Sequence, residues 1–314
     1  MTTARRDTVD EEEVCIYHCY SRCVRRAYLF GYDAYTGKCY DHRKDWIRER
    51  LKFLSKIFTI DMLEYALMST HTHSMVRTRP DILQTLSGEE VARRWLKLYP
   101  PRDLVNRKAE IRVLAQDQER IAELRKRLGS ISWYMKSLNE YIARRANKED
   151  DCKGRFWEGR FKCQRLRDDS AVLGCAVYVA LNPVRAKAAE TPEASDYTGV
   201  QERIRTAPEE LWLAPVENTG DREGFLSMSL PEYLTLVDET GREMRDGKRG
   251  SIPKHLEPLL VRTGISPGHW LRTVQHFRKW FSGVAGNAET LSATAQELGK
   301  AWCKGTQVAK RAFL

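Results

Sequence analysis

Two adjacent extended runs, 60–69 and 71–78, constrain the fold of this chain more than any other feature. The first run is apolar on both faces, as a central strand of a sheet would be. The second begins His71-Thr72-His73, and because side chains alternate along a strand, both imidazoles would stand on one face. Such a pair could bind one divalent metal ion, and imidazole suits manganese, zinc and other transition metals, or Mg²⁺ when oxygen ligands are added. The alternative is two polar side chains on an ordinary strand.

The pattern around these runs predicts an α+β fold, with one antiparallel sheet and helices against one of its faces. β-Forming residues predict a first strand over about 14–20, and alternating aromatic and basic residues predict another over about 155–163. Apolar residues at helical spacing predict helices at about 42–58, 87–98, 118–128, 131–147 and 170–181. The chain would then divide into a flexible leader (1–12), a main domain (13–200), a linker (201–225) and a mostly helical C-terminal region (226–314), interrupted near 246–253.

The charge of the chain favours a polyanionic partner, nucleic acid first. Lys and Arg number 53 against 43 Asp and Glu, which gives a formal net charge of +10. The sequence contains no run of about 18 apolar residues that could span a membrane. Its start lacks the apolar stretch of a secretory signal, so we expect a cytoplasmic protein with no membrane partner.

Eight cysteines are scattered along the chain. Without a secretory signal, a disulfide framework is not expected. Cys15, Cys19 and Cys23 cluster with His18, which leaves open a zinc site. Buried free thiols are the alternative that the strand-like surroundings favour.

The helix over 131–147 carries two tyrosines that could serve as nucleophiles. Tyr134 and Tyr141 lie one heptad apart and therefore share a face. A tyrosine hydroxyl can attack a phosphodiester and form a covalent ester. The same face carries Ile131 and Leu138, so packing of both rings in the core is the alternative.

A basic and aromatic segment, GRFWEGRFK at 154–162, predicts a nucleic-acid contact. Arginines pair with phosphates, and aromatic rings stack on unpaired bases. On a strand, Phe156, Glu158 and Arg160 would face one side and Trp157 the other, as in an ordinary half-buried strand. The candidate nucleic-acid contacts of the chain are Arg22, Arg155, Trp157, Arg160 and Lys162.

Five segments, in this order along the chain, resemble the HUH-type single-strand DNA transposases, especially the REP-associated tyrosine transposases. They are YHCYSR at 17–22, MSTHTH at 68–73, LNEY at 138–141, GRFWEGRF at 154–161 and YVALNPVRA at 178–186. The resemblance covers roughly residues 14–200 and implies a ferredoxin-like core with a central antiparallel sheet. Nothing comparable is found after about residue 205.

The resemblance implies a metal-dependent reaction on DNA. His71 and His73 would hold Mg²⁺ or Mn²⁺ against the scissile phosphate. A tyrosine on the nearby helix, Tyr141 or alternatively Tyr134, would attack and leave a 5′-phosphotyrosine and a free 3′-hydroxyl. The implied substrate is single-stranded, hairpin-containing DNA rather than a small molecule, and reversal on another end would join strands in transposition or recombination.

The chain departs from the family pattern at the motif itself. Thr72 replaces a residue that is usually hydrophobic, and one turn from Tyr141 there is no good third metal ligand. These departures motivate a second hypothesis, a domesticated, inactive relative that binds structured DNA or RNA. A zinc-stabilised regulator is a third. The segment 259–270 fits helix, glycine turn and helix, which is compatible with a helix-turn-helix reader. The alternatives, which we favour, are a helical module that supports the main domain or one that binds the DNA hairpin without that motif.

Overall fold

The computed structural model describes residues 8–24, 29–34, 37–101, 106–220, 222–245 and 257–313. Within these ranges the strands are β1 (Ile16–Arg22), β2 (Tyr32–Asp33), β3 (Lys38–Cys39), β4 (Ile60–Met68), β5 (His71–Thr78), β6 (Lys162–Leu166) and β7 (Val284–Ala285). The helices in the same ranges are α1 (Arg43–Ser55), α2 (Pro80–Thr85), α3 (Gly88–Leu98), α4 (Arg107–Gln116), α5 (Gln118–Gly129), α6 (Ile131–Glu149), α7 (Asp169–Ala180), α8 (Asn182–Arg185), α9 (Gly199–Arg205), α10 (Leu230–Arg245), α11 (Glu257–Arg262), α12 (Trp270–Trp280), α13 (Ala288–Glu297) and α14 (Thr306–Ala312). None of the described helices is long and apolar enough to cross a membrane.

One sheet organises these elements, in the order β4-β5-β1-β6-β7. Its first four strands pair antiparallel, and β7 from the C-terminal region adds to β6 in parallel. The order of those four strands is that of a ferredoxin-like core. The predicted α+β class, with an antiparallel sheet and a helical C-terminal region, is therefore confirmed.

Helices cover both faces of this sheet, although the sequence predicted only one covered face. Tyr65 and Leu67 of β4 belong to the core cluster that includes α1 and α6. Leu63 and Ala66 belong to a second cluster that includes α7 and the C-terminal helices. A strand that is apolar on both sides needs a packing layer on each, which is why one layer is not enough.

The position of β4 also differs from the expected central one, because this strand ends the sheet. The chain downstream covers its open side: the Leu67 N–H donates to the Tyr197 carbonyl at 3.2 Å, and the Ala214 N–H donates to the Met62 carbonyl at 2.9 Å. Part of the segment predicted as a linker thus lies along β4. A covered terminal strand has the same apolar pattern as a central one.

The strand predicted over 155–163 begins only at Lys162. Upstream, Trp157 forms an isolated bridge with Cys23, and its indole N–H donates to the Asn139 carbonyl at 2.9 Å. Phe156, Trp157 and Phe161 are all buried, whereas Arg155 and Arg160 are exposed. The predicted alternation of faces is therefore wrong, because this segment is an anchored loop without a continuous partner strand.

The C-terminal region packs on α7 through α12. A Cβ atom at Gly174 would lie 3.2 Å from the ring of Phe277, so a larger residue there would require this ring to shift. The segment 259–270 does form a helix, a turn at Gly264 with φ of +71°, and a second helix. Its use as a DNA reader stays a prediction. The predicted interruption near 246–253 and most of the predicted leader lie outside the described residues.

Candidate active site

The histidine pair stands on one face of the sheet, as alternation predicts. In the register of β1 and β5, His73 pairs with Tyr20 and His71 pairs with Arg22. A third histidine joins them: His18 Nε2 lies 2.8 Å from His73 Nδ1, and the two rings stack with centroids 5.1 Å apart. One imidazole must donate and the other accept, so His18 fixes the orientation of the His73 ring. A metal ion on His73 Nε2 requires the tautomer in which His73 Nδ1 is the donor.

All three imidazoles are neutral at pH 7. Burial lowers the pKa of His18 to about 4. Burial, assisted by the positive charges of Arg278 and Arg22, lowers the pKa of His71 to about 4. The pKa of His73 is well below its usual value, first through burial, then through the adjacent His18 and His71 rings, and last through the positive charges of Arg278 and Arg185. A neutral imidazole keeps the lone pair of its one unprotonated nitrogen available for a metal ion.

Two of these nitrogens fit a metal ion. His73 Nε2 is buried without a hydrogen-bond partner. His71 Nδ1 lies 3.1 Å from Thr70 Oγ1, which leaves its Nε2 facing away from that contact. Within the described residues, however, no group of three or more His, Cys, Asp and Glu side chains could hold a metal. Two imidazoles without a carboxylate suit Mn²⁺ better than Mg²⁺.

The cysteines near β1 do not extend this site. None of the eight cysteines, all of them among the described residues, forms a disulfide. Cys19 Sγ lies 3.7 Å from Cys163 Sγ, and Cys23 Sγ contacts the Thr70 carbonyl oxygen at 3.1 Å. The zinc site considered from the sequence is thus not formed among the described side chains.

The tyrosines of α6 lie on the opposite face of the sheet from the histidines. Asn139 of α6 donates from Nδ2 to Ser21 Oγ at 2.8 Å, and Ser21 alternates with Tyr20 along β1. Tyr134 is fully buried with its ring edge-on to Phe58. The structure therefore does not bring this helix to the metal motif, contrary to the expectation from the sequence.

Tyr141 is the more accessible of the two, and its partners are basic. Arg145 Nη1 donates to the Tyr141 hydroxyl at 2.8 Å. The Arg50 guanidinium lies 4.7 Å from its ring centroid. These contacts fix the ring on the outer side of α6.

Two tyrosines meet the histidines. Tyr20 of β1 has its ring centroid 5.5 Å from that of His18 and 5.9 Å from that of His73. The other, and the one that a helix supplies, is Tyr178 of α7. Its ring centroid lies 5.6 Å from that of His73 and 5.9 Å from that of His18, edge-on in both cases. The Arg185 guanidinium lies 4.7 Å from the Tyr178 ring. One turn onward, Asn182 donates from Nδ2 to the Tyr178 carbonyl at 3.0 Å. A tyrosine carried by a helix thus does lie beside the histidines, but this helix is α7 and not α6.

A basic groove of about 630 Å³ opens beside His71. Its walls come from three parts of the chain and consist of Tyr20, Arg22, His71, Glu158, Gly159, Arg160, Lys162, Arg278 and Lys279. Two cations flank Tyr20, since Lys162 Nζ lies 5.9 Å and the Arg278 guanidinium 5.1 Å from its ring centroid. Among the described residues, no carboxylate forms an ion pair with any of the five cations in this wall.

The groove gathers three of the five nucleic-acid contacts predicted from the sequence. Arg22, Arg160 and Lys162 line it. Arg155 is exposed but does not line the groove. Trp157 is 8% exposed and belongs to the core, so it supports the loop and presents no stacking surface.

Comparison with known proteins gives one likeness to report. The chain is similar to a REP-associated tyrosine transposase bound to a REP hairpin. The two share 13% sequence identity, the match covers 72% of this chain and 100% of that one, and the TM-score is 0.38. This is the family that the sequence segments resemble, but a TM-score this low does not support an argument about function. No family model and no curated protein matches the chain.

Sequence reasoning missed three contributors to this site: His18, Tyr178 and Arg278. His18 precedes Tyr20 by two positions in a strand, so alternation places it on the same face. Tyr178 lies in the helix predicted over 170–181 from its apolar spacing, which by itself does not distinguish a tyrosine of the core from one of a site. No local signal points to Arg278, because it reaches the groove only through tertiary packing.

Proposed function

We propose that this protein nicks and rejoins single-stranded DNA through a covalent tyrosine intermediate, with Tyr178 as the nucleophile. The observation that carries the proposal is the meeting of Tyr178 with His73 and His18 beside a groove lined by unpaired cations. Arginines and lysines that line a concave wall without carboxylate partners are suited to binding phosphates, whose negative charges would neutralise them.

Each residue of the site has a separate role in the proposed reaction. Arg22 and Lys162 bind phosphates on either side of the scissile one, and His71 and His73 would hold the metal ion, Mn²⁺ or Mg²⁺. When bound, that ion would neutralise charge on the phosphate. Tyr178 Oη forms a bond to phosphorus, the bond from phosphorus to O3′ breaks, and the tyrosine proton ends on the 3′-hydroxyl.

The surroundings of Tyr178 favour strand transfer over hydrolysis. Tyr178 is only 4% exposed, so bulk water has little access to an ester formed there. The Arg185 guanidinium restricts the ring through a cation–π contact. A second DNA end held in the groove is then the nucleophile that reverses the reaction.

A covalent adduct tests this proposal directly. The protein is incubated with end-labelled, hairpin-containing single strands and Mn²⁺, then run on a denaturing gel and digested for peptide mapping. We expect a metal-dependent labelled band, with the label on the peptide that contains Tyr178. A label on the peptide that contains Tyr141 would transfer the nucleophile to α6.

The alternative function is binding of structured DNA without cleavage. The lack of a third His, Cys, Asp or Glu ligand among the described side chains favours it. It predicts tight binding of the same strands in the groove and no adduct with Mn²⁺ at any time point. The same gel therefore separates the two functions.

A further inference from the structure

Helix α12 has an apolar side and a basic side. Trp270, Thr273, Val274 and Phe277 are buried at helical spacing. The opposite side presents Arg272, His276 and Lys279, which are four and three residues apart and therefore neighbours along one face. The packing of α12 on α7 orients this basic face outward.

This basic face begins at the groove. Arg278 and Lys279 line the groove wall. Burial lowers the pKa of His276. The positive charges nearby lower it further, and they belong to Lys279, Arg185 and Arg272. Arg185 also donates from Nη2 to the Gln275 carbonyl at 2.8 Å. Positive charge therefore continues from the groove along the length of the helix, about 16 Å at 1.5 Å per residue.

A second cavity lies alongside this face, with lining residues from both ends of α12. It has a volume of about 290 Å³ and lies between α12 and α14, lined by His269, Arg272, Trp280, Gln307, Val308 and Arg311. Arg272 and Arg311 are exposed, and no described carboxylate forms an ion pair with either. The Trp280 ring centroid is 5.5 Å from that of His276. Two unpaired arginines beside an aromatic ring are the groups that bind the phosphate and the base of an unpaired nucleotide.

We propose that a DNA strand held in the groove continues along α12 and places one of its nucleotides in this second cavity. The inference rests on the proposed function, since it takes the groove to be a single-strand site. It gives the C-terminal region a role in substrate binding: the strand lies across Lys279 and His276, with a phosphate on Arg272 and Arg311 and a base against Trp280.

The salt dependence of binding tests this path. Loss of one phosphate contact lowers the slope of log K against log salt by about 0.7 for a single strand. Affinities are measured for oligothymidylates of about 4 and about 16 nucleotides, the range that single-strand sites cover. The full-length variants are Arg272→Gln in the second cavity, Arg22→Gln in the groove, and Arg112→Gln as a matched control, an exposed arginine on α4.

We expect Arg272→Gln to lower the slope with the long strand only, Arg22→Gln to lower it with both strands, and Arg112→Gln to lower it with neither. A wild-type slope for Arg272→Gln on the long strand overturns the path along α12, while a lowered slope for Arg22→Gln still upholds the groove. Wild-type slopes for both variants overturn the groove as well. Unchanged thermal unfolding midpoints confirm that the variants are folded.

Discussion

Helices α6 and α7 each present a tyrosine toward the central sheet, but from opposite sides. On the α6 side Tyr134 packs in an apolar core with Phe58, whereas on the α7 side Tyr178 contacts two histidines beside a basic groove. The sequence predicted only the helix that is α6 beside the His71 and His73 pair, and helical spacing does not show which side of a sheet a helix covers. The alternation of side chains along β1 and β5 shows which face of the sheet carries the histidines, and therefore which helix lies beside them.

The largest expected effect distinguishes the two tyrosines. Tyr178→Phe should reduce covalent adduct formation by about 10³-fold or more, since the attacking oxygen is removed, whereas Tyr141→Phe should stay within about twofold of wild type. Rates of adduct formation with Mn²⁺ on one labelled strand provide the measurement. Normal adduct with Tyr178→Phe and none with Tyr141→Phe would reverse the comparison.

The next largest expected effect is a loss of stability at acidic pH, caused by His18 on the α7 side of the sheet. The folded-state pKa of His18, about 4, lies below its usual 6.5, so the unfolded chain takes up a proton first as the pH falls. The stabilisation is complete above pH 6.5 and is lost toward pH 4, on the order of 3 kcal/mol for His18 alone. Urea unfolding at several pH values measures this loss.

A matched pair of variants isolates the histidine contribution from the titration of carboxyl groups in the same pH range. His18→Gln should flatten the decline between pH 6.5 and 4, whereas His269→Gln, outside the cluster, should leave it as in wild type. An equally steep decline in His18→Gln would show that the cluster does not control acid stability.

The smallest expected effect is a change in the free energy of unfolding caused by Tyr134 of α6. The Tyr134 hydroxyl is buried without a hydrogen-bond partner, and burial raises the pKa of that group. Tyr134→Phe should therefore raise the free energy of unfolding by about 1 kcal/mol, because an unsatisfied polar group is removed at nearly constant shape. A decrease in urea unfolding experiments would show instead that the hydroxyl has a partner, such as a buried water molecule.

Much of the sheet could be predicted from the sequence, because its signals are local. The strand over 71–78 matches β5, and alternation correctly puts His71 and His73 on one face. The helix predicted from about residue 170 is α7, although its N-cap is Asp168, whose Oδ1 accepts from the Ala171 N–H at 2.9 Å. Cap and boundary errors of this size are normal, since helix ends depend on single hydrogen bonds.

The site could be predicted only in part, because its other members come together through long-range packing. The Gly154–Phe161 segment alternates like a strand, yet Phe156 and Trp157 are both buried in its loop. Arg278 lies more than 200 residues from His71 in sequence and reaches the same groove through α12. Neither residue spacing nor composition predicts that Arg278 and His71 line the same groove.

The short strand β7 has a consequence for attempts to shorten this protein. Beside it, the Arg165 N–H donates to the Gly283 carbonyl at 2.7 Å and the Arg167 N–H donates to the Ala285 carbonyl at 3.0 Å. A chain cut after residue 225 would leave these two N–H groups, one in β6 and one just after it, without partners. An unpaired strand edge of this kind recruits a strand from another molecule. Such a fragment would self-associate, and its failure to stay monomeric would reflect an unpaired backbone rather than a loss of catalytic groups.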